Sequence, residues 1–346
     1  MDASQTRERF YELDFLRFAA AIAVLLFHYV FRIWNLDGSG TLAYPLLSGF
    51  SKYGYLGVDA FFMISGFVIL MSAEGRSAWE FAISRIVRLY PAYWFCTIVI
   101  FIFATFWPVE NYRPGVFDFF LNLTMFHSWF GSPHVSSVFW TLVVEMQFYF
   151  IVLFIIKANL LDRLVYILSV WLSISILSDY LDFPHWAKTL IIASWCHYFI
   201  AGSIFYLIRK KGVSLYKLVL LTICLWEAVK HGYWYVLVKE KLSGVDYTPE
   251  VVIVFLGVLF LFFFIVSLRK LPGDFRRLAK LGVLTYPLYL IHAMIGETLL
   301  IYYIGHVNKY VLFLAITLVM IVASYIIHRY VELNAAHILK KTLLKI

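Results

Sequence analysis

The chain has 346 residues, of which 62% are hydrophobic and 14% are charged, and its mean hydropathy is +0.82. Soluble domains average about 45–50% apolar and about 25% charged residues, so this composition excludes a water-soluble globular protein. The net charge of +8 is therefore interpreted as a signal of membrane topology, and no nucleic-acid partner is predicted.

Hydropathy predicts an all-α, polytopic transmembrane bundle of about ten helices, because each span needs about 20 mostly apolar residues. The N-terminal segment carries mixed charges and no small-residue cleavage site, so the first span is predicted to be a permanent anchor. No repeat or separate soluble domain interrupts the pattern, and residues 1–346 are predicted to form one integral-membrane domain. In chain order, the predicted spans are 15–34, 54–73, 86–107, 138–157, 162–179, 187–208, 213–232, 250–268, 281–303 and 309–329.

Basic residues orient this bundle, because cytoplasmic loops are enriched in Lys and Arg. With the N-terminus inside, most of the 29 Lys and Arg residues fall on the cytoplasmic side. Both termini are therefore predicted to be cytoplasmic, in a multi-pass protein of the inner or plasma membrane that is surrounded by lipid. The three cysteines, Cys96, Cys196 and Cys224, lie in apolar runs and are predicted to be packing residues.

Three ionisable residues are predicted to share one layer of the membrane. A helical rise of about 1.5 Å per residue places His28, Asp59 and Glu145 at roughly 8–12 Å below the outer surface. Such residues are costly inside a bilayer, so each is a functional-site hypothesis. We predict that His28 is a general base and that Asp59 or Glu145 orients it. A packing role for His28 and a structural ion pair for Asp59 remain alternatives.

Three arginines are predicted to meet at the cytoplasmic mouth of the bundle. Arg17 lies eleven residues before His28, on the same helical face, while Arg85 and Arg88 are three apart and share a face. A guanidinium binds phosphate oxygens through two donors. The pattern therefore favours an anionic donor such as acyl-coenzyme A, although simple positive-inside anchoring is the competing explanation for Arg85 and Arg88.

Two further residues are weaker candidates for substrate binding. Tyr149 follows Glu145 by four residues on one face of the fourth span, and His292 lies near mid-membrane in the ninth span. Ordinary helix packing explains either residue as well. No metal-ligand spacing, Walker loop or dinucleotide fingerprint is present, so no metal site is predicted.

Six motifs occur in an order that resembles one known family. They are LDFLRFAAAIAVLLFH, GYLGVDAFFMISGF, RIVRLYPAYW, SVFWTLVVEMQFY, TYPLYLIH and YVELNAAHI. Together they resemble the membrane-bound acyltransferase family 3 across nearly the whole chain. One departure is Asn334, which stands near a position where proline is common in that family.

The resemblance implies an O-acyltransferase that moves an acyl group from cytoplasmic acyl-CoA to a hydroxyl of an extracytoplasmic or membrane-associated glycan or lipid-linked saccharide. Acetyl is the default only by family frequency. On this basis Arg17, Arg85 and Arg88 would hold the CoA phosphates, and Trp140 would shape the donor tunnel. His28 would be the base or a transient acyl carrier. The chain ends soon after the last span, so it is expected to act alone or with a separate partner.

The main alternative is a proton-coupled transporter or a lipid-linked sugar flippase. Buried His, Asp and Glu side chains also serve as proton relays in transporters. No two-fold internal repeat is visible, although such repeats are common in transporters. The clustering of the arginines on one side also favours a ligand that enters from that side. The acceptor remains open between several glycans and small molecules.

Overall fold

The computed structural model of the chain describes residues 9–33, 44–108 and 113–344. Within these ranges the chain folds into twelve helical segments, apart from short 3-10 turns, and no strand. In chain order they are α1 Tyr11–Arg32, α2 Leu47–Ala73, α3 Ala78–Phe106, α4 Val116–Leu123, α5 Trp140–Lys157, α6 Leu161–Tyr180, α7 His185–Leu190, α8 Cys196–Lys211, α9 Leu215–Ser243, α10 Pro249–Ser267, α11 Leu278–Tyr302 and α12 Lys309–Leu343.

Eight of the described segments are long and apolar enough to cross a membrane, namely α1, α2, α3, α5, α6, α10, α11 and α12. The predicted all-α polytopic bundle is therefore confirmed. The other two predicted spans, 187–208 and 213–232, overlap α8 and α9. Ten spans and cytoplasmic termini stay predictions, and residues 1–8, Trp34 and residues 345–346 lie outside the described ranges.

The helix α8 packs directly against α2 at the centre of the bundle. A Cβ atom added at Gly66 of α2 would collide with the backbone oxygen of Phe199, and one added at Gly202 of α8 would collide with that of Met63. Small residues let helix backbones approach closely in membranes. These two glycines therefore set the spacing of the helix pair that supports the polar side chains of α2.

Three of the described helices change to π-helical geometry near polar residues, and in α12 the change covers Ile327–Glu332. The last turns of α1 are π-helical over Phe27–Arg32, and α11 is π-helical over His292–Gly296. Such π turns are rare and occur often at functional sites. The π-helical segments of α1 and α11 touch where the Tyr29 hydroxyl donates to the His292 carbonyl at 2.8 Å. A side chain at Gly296 would collide with Tyr29, so the Tyr29 side chain of α1 packs directly against the backbone of α11.

A capping box begins α3, the helix that carries Arg85 and Arg88. The Ser77 hydroxyl accepts from the Glu80 backbone N–H at 3.2 Å, and a Glu80 carboxylate oxygen accepts from the Ser77 N–H at 2.8 Å. This reciprocal pair satisfies two backbone donors that a helix start leaves free. It also fixes where the helix begins, and therefore which face its arginines present.

Candidate active site

A cavity of about 270 Å³ opens among α1, α2, α3, α5 and α11 at the end of the bundle where α1 begins. Arg17, Arg85 and Arg88 all line it, and we call it the arginine cavity. Glu145 and Tyr149 of α5 line the same cavity. Its volume is below the roughly 300–1,000 Å³ of pockets that enclose drug-sized ligands, so it suits the end of a long ligand whose remainder lies outside.

Neighbouring side chains hold these arginines in place. Arg85 donates to the Ser72 hydroxyl at 2.9 Å, and Arg17 lies 3.5 Å from Asp14. Arg88 pairs with the buried carboxylate of Glu332 in α12. Glu332 in turn lies 2.8 Å from the Nδ1 atom of His328. Two residues of α12, near the C-terminal end of the described chain, therefore hold the guanidinium of Arg88.

Glu145 lines the arginine cavity. The expectation that it could orient His28 is wrong, because its hydrogen-bond partners are Ser65 and Tyr149. One of its carboxylate oxygens accepts from the Ser65 hydroxyl at 2.8 Å and from the Tyr149 hydroxyl at 2.6 Å. Trp140, which lines a second cavity together with His28, is five residues earlier on α5, and five residues advance a helix by about 7 Å. That advance carries Glu145 away from the histidine layer.

A second cavity of about 660 Å³ lies at the other end of α1, where His28 and Arg32 line it. We call it the histidine cavity. Trp140 at the start of α5 and Lys239 near the end of α9 also form its wall. Trp140, which the resemblance expects to shape the donor tunnel, begins α5 at the His28 end of the bundle and lines this cavity.

The imidazole of His28 contacts a carboxylate that the sequence analysis did not select. The Nδ1 atom of His28 lies 2.7 Å from Oε1 of Glu297 in α11. One guanidinium nitrogen of Arg32 lies 2.7 and 2.6 Å from the two oxygens of the same carboxylate. The side chains of His28 and Glu297 are 9% and 6% exposed, so this contact is shielded from water. A carboxylate at Nδ1 favours the tautomer with the proton there and leaves Nε2 as the basic nitrogen.

His292 packs its ring against His28, with the two ring centroids 5.0 Å apart. Its Nδ1 atom lies 2.8 Å from the Tyr289 carbonyl and 3.1 Å from the Leu288 carbonyl. A carbonyl only accepts, so the proton of a neutral His292 lies on Nδ1. The contact between His292 and His28 is therefore one of ring packing.

Asp59 also has a different partner from the one expected. It is buried, and one of its carboxylate oxygens accepts from the Tyr198 hydroxyl of α8 at 3.0 Å. The preceding residue, Val58, lines both named cavities. Successive helical residues are rotated by about 100°, and Asp59 points from α2 toward Tyr198 of α8.

A thin wall separates the two cavities near mid-bundle. Val58 of α2 and Tyr289 of α11 each line both cavities. The Tyr289 hydroxyl lies 2.7 Å from the Thr141 hydroxyl, which joins α11 to α5 across this wall. The arginine cavity and the histidine cavity are thus neighbours that share two side chains.

Comparison with known proteins decides the family. Residues 10–329 match the family described as "Acyltransferase domain", which is nearly the whole chain. This chain belongs to that family. It is therefore an acyltransferase enzyme, and its helices make it a multi-pass membrane protein. The resemblance drawn from the six motifs is confirmed.

One similar curated protein belongs to the same class of acyltransferases. This chain is 33% identical over 130 residues to "Peptidoglycan O-acetyltransferase OatA" of Listeria monocytogenes serovar 1/2a (strain ATCC BAA-679 / EGD-e). The match covers 32% of this chain and 21% of that protein, so the chain spans about a fifth of its length. No solved structure matches the chain at a significant level. Within the described residues, no group of three or more His, Cys, Asp or Glu is placed to hold a metal ion.

Glu297 was missed because the contact joins residues 269 positions apart. A signal was nevertheless present in the sequence. Glu297 lies six residues before the end of the predicted span 281–303, and His28 lies six residues before the end of the span 15–34. Both spans run in the same direction in this acyltransferase, so the depth argument that selected His28 also selects Glu297.

Proposed function

We propose that this acyltransferase is an integral-membrane O-acyltransferase that takes an acyl group, acetyl by default, from acyl-CoA at the arginine cavity. It delivers the group to a glycan hydroxyl in the histidine cavity. The observation that carries the proposal is the shared wall: a set of three arginines and a carboxylate-oriented histidine face two cavities that meet at Val58 and Tyr289.

The arginine cavity supplies donor binding in this proposal. Arg17, Arg85 and Arg88 carry three guanidiniums to one mouth, and each can bind phosphate oxygens through two donors. The cavity is too small for a whole coenzyme A, so the phosphates lie at the mouth. The acyl end of the pantetheine arm then enters and passes between Val58 and Tyr289, so that its thioester carbonyl reaches the histidine cavity.

The histidine cavity supplies the chemistry. Nε2 of His28 removes the proton from the acceptor hydroxyl as its oxygen attacks the thioester carbonyl. The carbon–sulfur bond then breaks, and the CoA thiolate takes the proton back as the free thiol leaves. Glu297 holds the imidazole in the required tautomer and stabilises its protonated form. The net reaction converts an acyl-CoA and an alcohol into an ester and CoA.

The distribution of basic residues in the sequence predicts which side of the membrane each cavity faces. The arginine cavity faces the cytoplasm, where acyl-CoA is available, and the histidine cavity faces outward. The protein is proposed to lie in the inner or plasma membrane, in contact with lipid, and to act on an extracytoplasmic or membrane-associated glycan. The name of the Listeria relative, a peptidoglycan O-acetyltransferase, supports a glycan as the acceptor.

Transfer of label tests this proposal directly. The purified protein in lipid nanodiscs is given radiolabelled acetyl-CoA and a total extract of envelope glycans. We expect label to appear in the glycans as an ester that mild alkali releases, and free CoA to form in equal amount. A transporter or flippase would leave the thioester intact, so intact acetyl-CoA with active saccharide translocation would contradict the proposal and favour that alternative.

A further inference from the structure

One lysine in the histidine cavity is surrounded by aromatic rings. The Nζ atom of Lys239 lies 5.0 Å from the ring centroid of Phe27, 5.1 Å from that of Tyr55 and 4.9 Å from that of Tyr235. Each ring attracts the ammonium electrostatically. Aromatic faces offer no conventional hydrogen-bond acceptor, however, and the ammonium carries three donors.

Among the described residues, no carboxylate pairs with Lys239 and none lines the histidine cavity. Other lysines are paired: Lys230 with Glu227, and Lys210 with Glu74. The charge of the cavity's other permanent cation, Arg32, is balanced by Glu297. The wall around Lys239 is therefore basic, whereas the arginine cavity contains the carboxylate of Glu145.

Lys239 lies close to the proposed base. The Phe27 ring that contacts the ammonium at 5.0 Å also meets the His28 ring edge-on, with centroids 5.4 Å apart. A single phenyl ring thus separates the ammonium from the imidazole. Trp140 and Tyr247 add two more aromatic side chains to the same cavity. Sites that bind organic ligands combine such apolar and aromatic walls with a few placed polar groups.

We propose that the acceptor is an anionic glycan, and that Lys239 binds its carboxylate or phosphate group while a nearby hydroxyl reaches His28. This inference rests on the proposed function and names the chemical class of its acceptor. The ammonium gains charge-assisted hydrogen bonds that the rings do not supply. The aromatic walls then contact the sugar rings on either side of the anionic group.

Acceptor fractionation combined with one lysine variant tests the inference. Envelope glycans from the producing cells are separated by anion exchange into neutral, carboxylate-bearing and phosphate-bearing pools. Each pool is offered to the full-length protein in nanodiscs with radiolabelled acetyl-CoA. We expect label in an anionic pool, and the labelled pool identifies the source of the charge. Amidation of carboxylates, or removal of phosphates, should raise the KM of the wild-type protein for that pool about 10-fold, because the same charged contact is lost.

The Lys239→Met variant keeps the length and apolar stem of the side chain and removes the charge. We expect the KM for the anionic pool to rise about 10-fold, because a hydrogen bond to a charged group is lost, while kcat changes little. Lys239→Arg should restore most of the affinity. The matched control is Lys241→Met, an exposed lysine of the same helix, which should behave as the wild type.

The outcomes separate this inference from the proposed function. Label that enters the neutral pool, with unchanged kinetics in the Lys239→Met variant, would overturn the anionic acceptor and leave the acyl transfer standing. Absence of label from every pool would overturn the proposed function and this inference with it. If Lys239→Met does not purify, the wild-type preference among the pools and the amidation experiment decide the question alone.

Discussion

The Nδ1 atom of His28 and the carboxylate of Glu297 lie 2.7 Å apart although 269 positions separate them in the chain. Both residues lie in or directly beside a π-helical turn, and both are buried. Arg32 binds the same carboxylate. The carboxylate contacts Nδ1 only, and under the proposed function the other ring nitrogen, Nε2, takes the proton of the acceptor hydroxyl.

The Glu297→Gln substitution tests the role of this carboxylate. A glutamine fills the same space, but it neither favours the imidazole tautomer nor stabilises the protonated ring. We expect acetyl transfer to fall about 100-fold or more, within the range that general acid–base catalysis contributes. The measurement is label transferred to glycan per minute by purified protein of normal yield.

Asp59→Asn is the matched substitution for that experiment. Asp59 is another buried acid near the same depth, but it contacts Tyr198 and not His28. We expect a loss of less than about 10-fold, since one hydrogen bond to a charged group is weakened. Equal losses in the two variants would show that the two carboxylates cannot be told apart by their contact with His28.

The glycine contact between α2 and α8 predicts a large effect on stability. Gly202→Ala places a methyl group against the Met63 carbonyl, so the two backbones must separate. Overpacking of this kind costs about 1–3 kcal/mol or more, and we expect a lower melting temperature and a lower yield of monodisperse protein. Gly257→Ala in α10 is the control, because nothing lies within 4 Å of the added atom. A Gly202→Ala variant as stable as Gly257→Ala would show that the helices are not in backbone contact.

The wall between the cavities predicts a coupling between two hydroxyl groups. Tyr289→Phe and Thr141→Val each remove one side of the 2.7 Å hydrogen bond. We expect each substitution to change the rate of acetyl transfer by up to about 10-fold, which corresponds to the free energy of one hydrogen bond. The double variant should resemble either single variant. Hydrolysis of acetyl-CoA measured beside transfer shows whether the opened wall admits water. Strictly additive effects would mean that the hydroxyl groups act independently.

Two histidines outside the predicted spans make stability depend on pH. Burial, reinforced by the charge of neighbouring His134, lowers the pKa of His127 from 6.5 to about 4. Burial also lowers the pKa of His134, whose Nδ1 lies 2.6 Å from Nε2 of His127. The folded protein thus keeps both rings neutral, and it loses stability as the pH falls from 6.5 toward 4.

Melting temperatures across that pH range measure this effect. We expect a decrease in the wild type that is smaller in a His127→Gln, His134→Gln double variant. The exposed His306 provides the control, and His306→Gln should follow the wild-type curve. A double variant with the full wild-type decrease would assign the acid sensitivity to other groups.

The apolar runs predicted most of the fold, because membrane thickness imposes a length on each spanning helix. The helices α8 and α9 were harder to predict from hydropathy. Cys196–Lys211 is only 16 residues long, and Leu215–Ser243 carries charges such as Lys230 and Lys239 among its apolar residues. The burial of α8 depends on close packing against α2, which hydropathy does not measure.

The candidate site was predictable in part. Helical spacing alone indicated that Arg85 and Arg88 share a face, and both line the arginine cavity. The depth argument selected Asp59, which is buried, and Glu145, which is half-buried, but it did not reveal the direction in which each side chain points. Glu145 and Asp59 turn to Ser65 and Tyr198 because of their angular positions on α5 and α2. The π turns that bring His28 and Glu297 together have no signal in the periodicity.

Separation of donor binding from acyl transfer tests the central claim most directly. Acetyl-CoA binding by calorimetry and transfer of label are measured on His28→Ala, on an Arg85→Gln, Arg88→Gln double variant and on the exposed control Arg163→Gln. We predict that His28→Ala binds acetyl-CoA as the wild type does but transfers about 100-fold less label. The arginine variant should bind about 10-fold or more weakly, and the control should match the wild type. Full transfer by a normally folded His28→Ala protein, or wild-type binding by the arginine variant, would contradict the account.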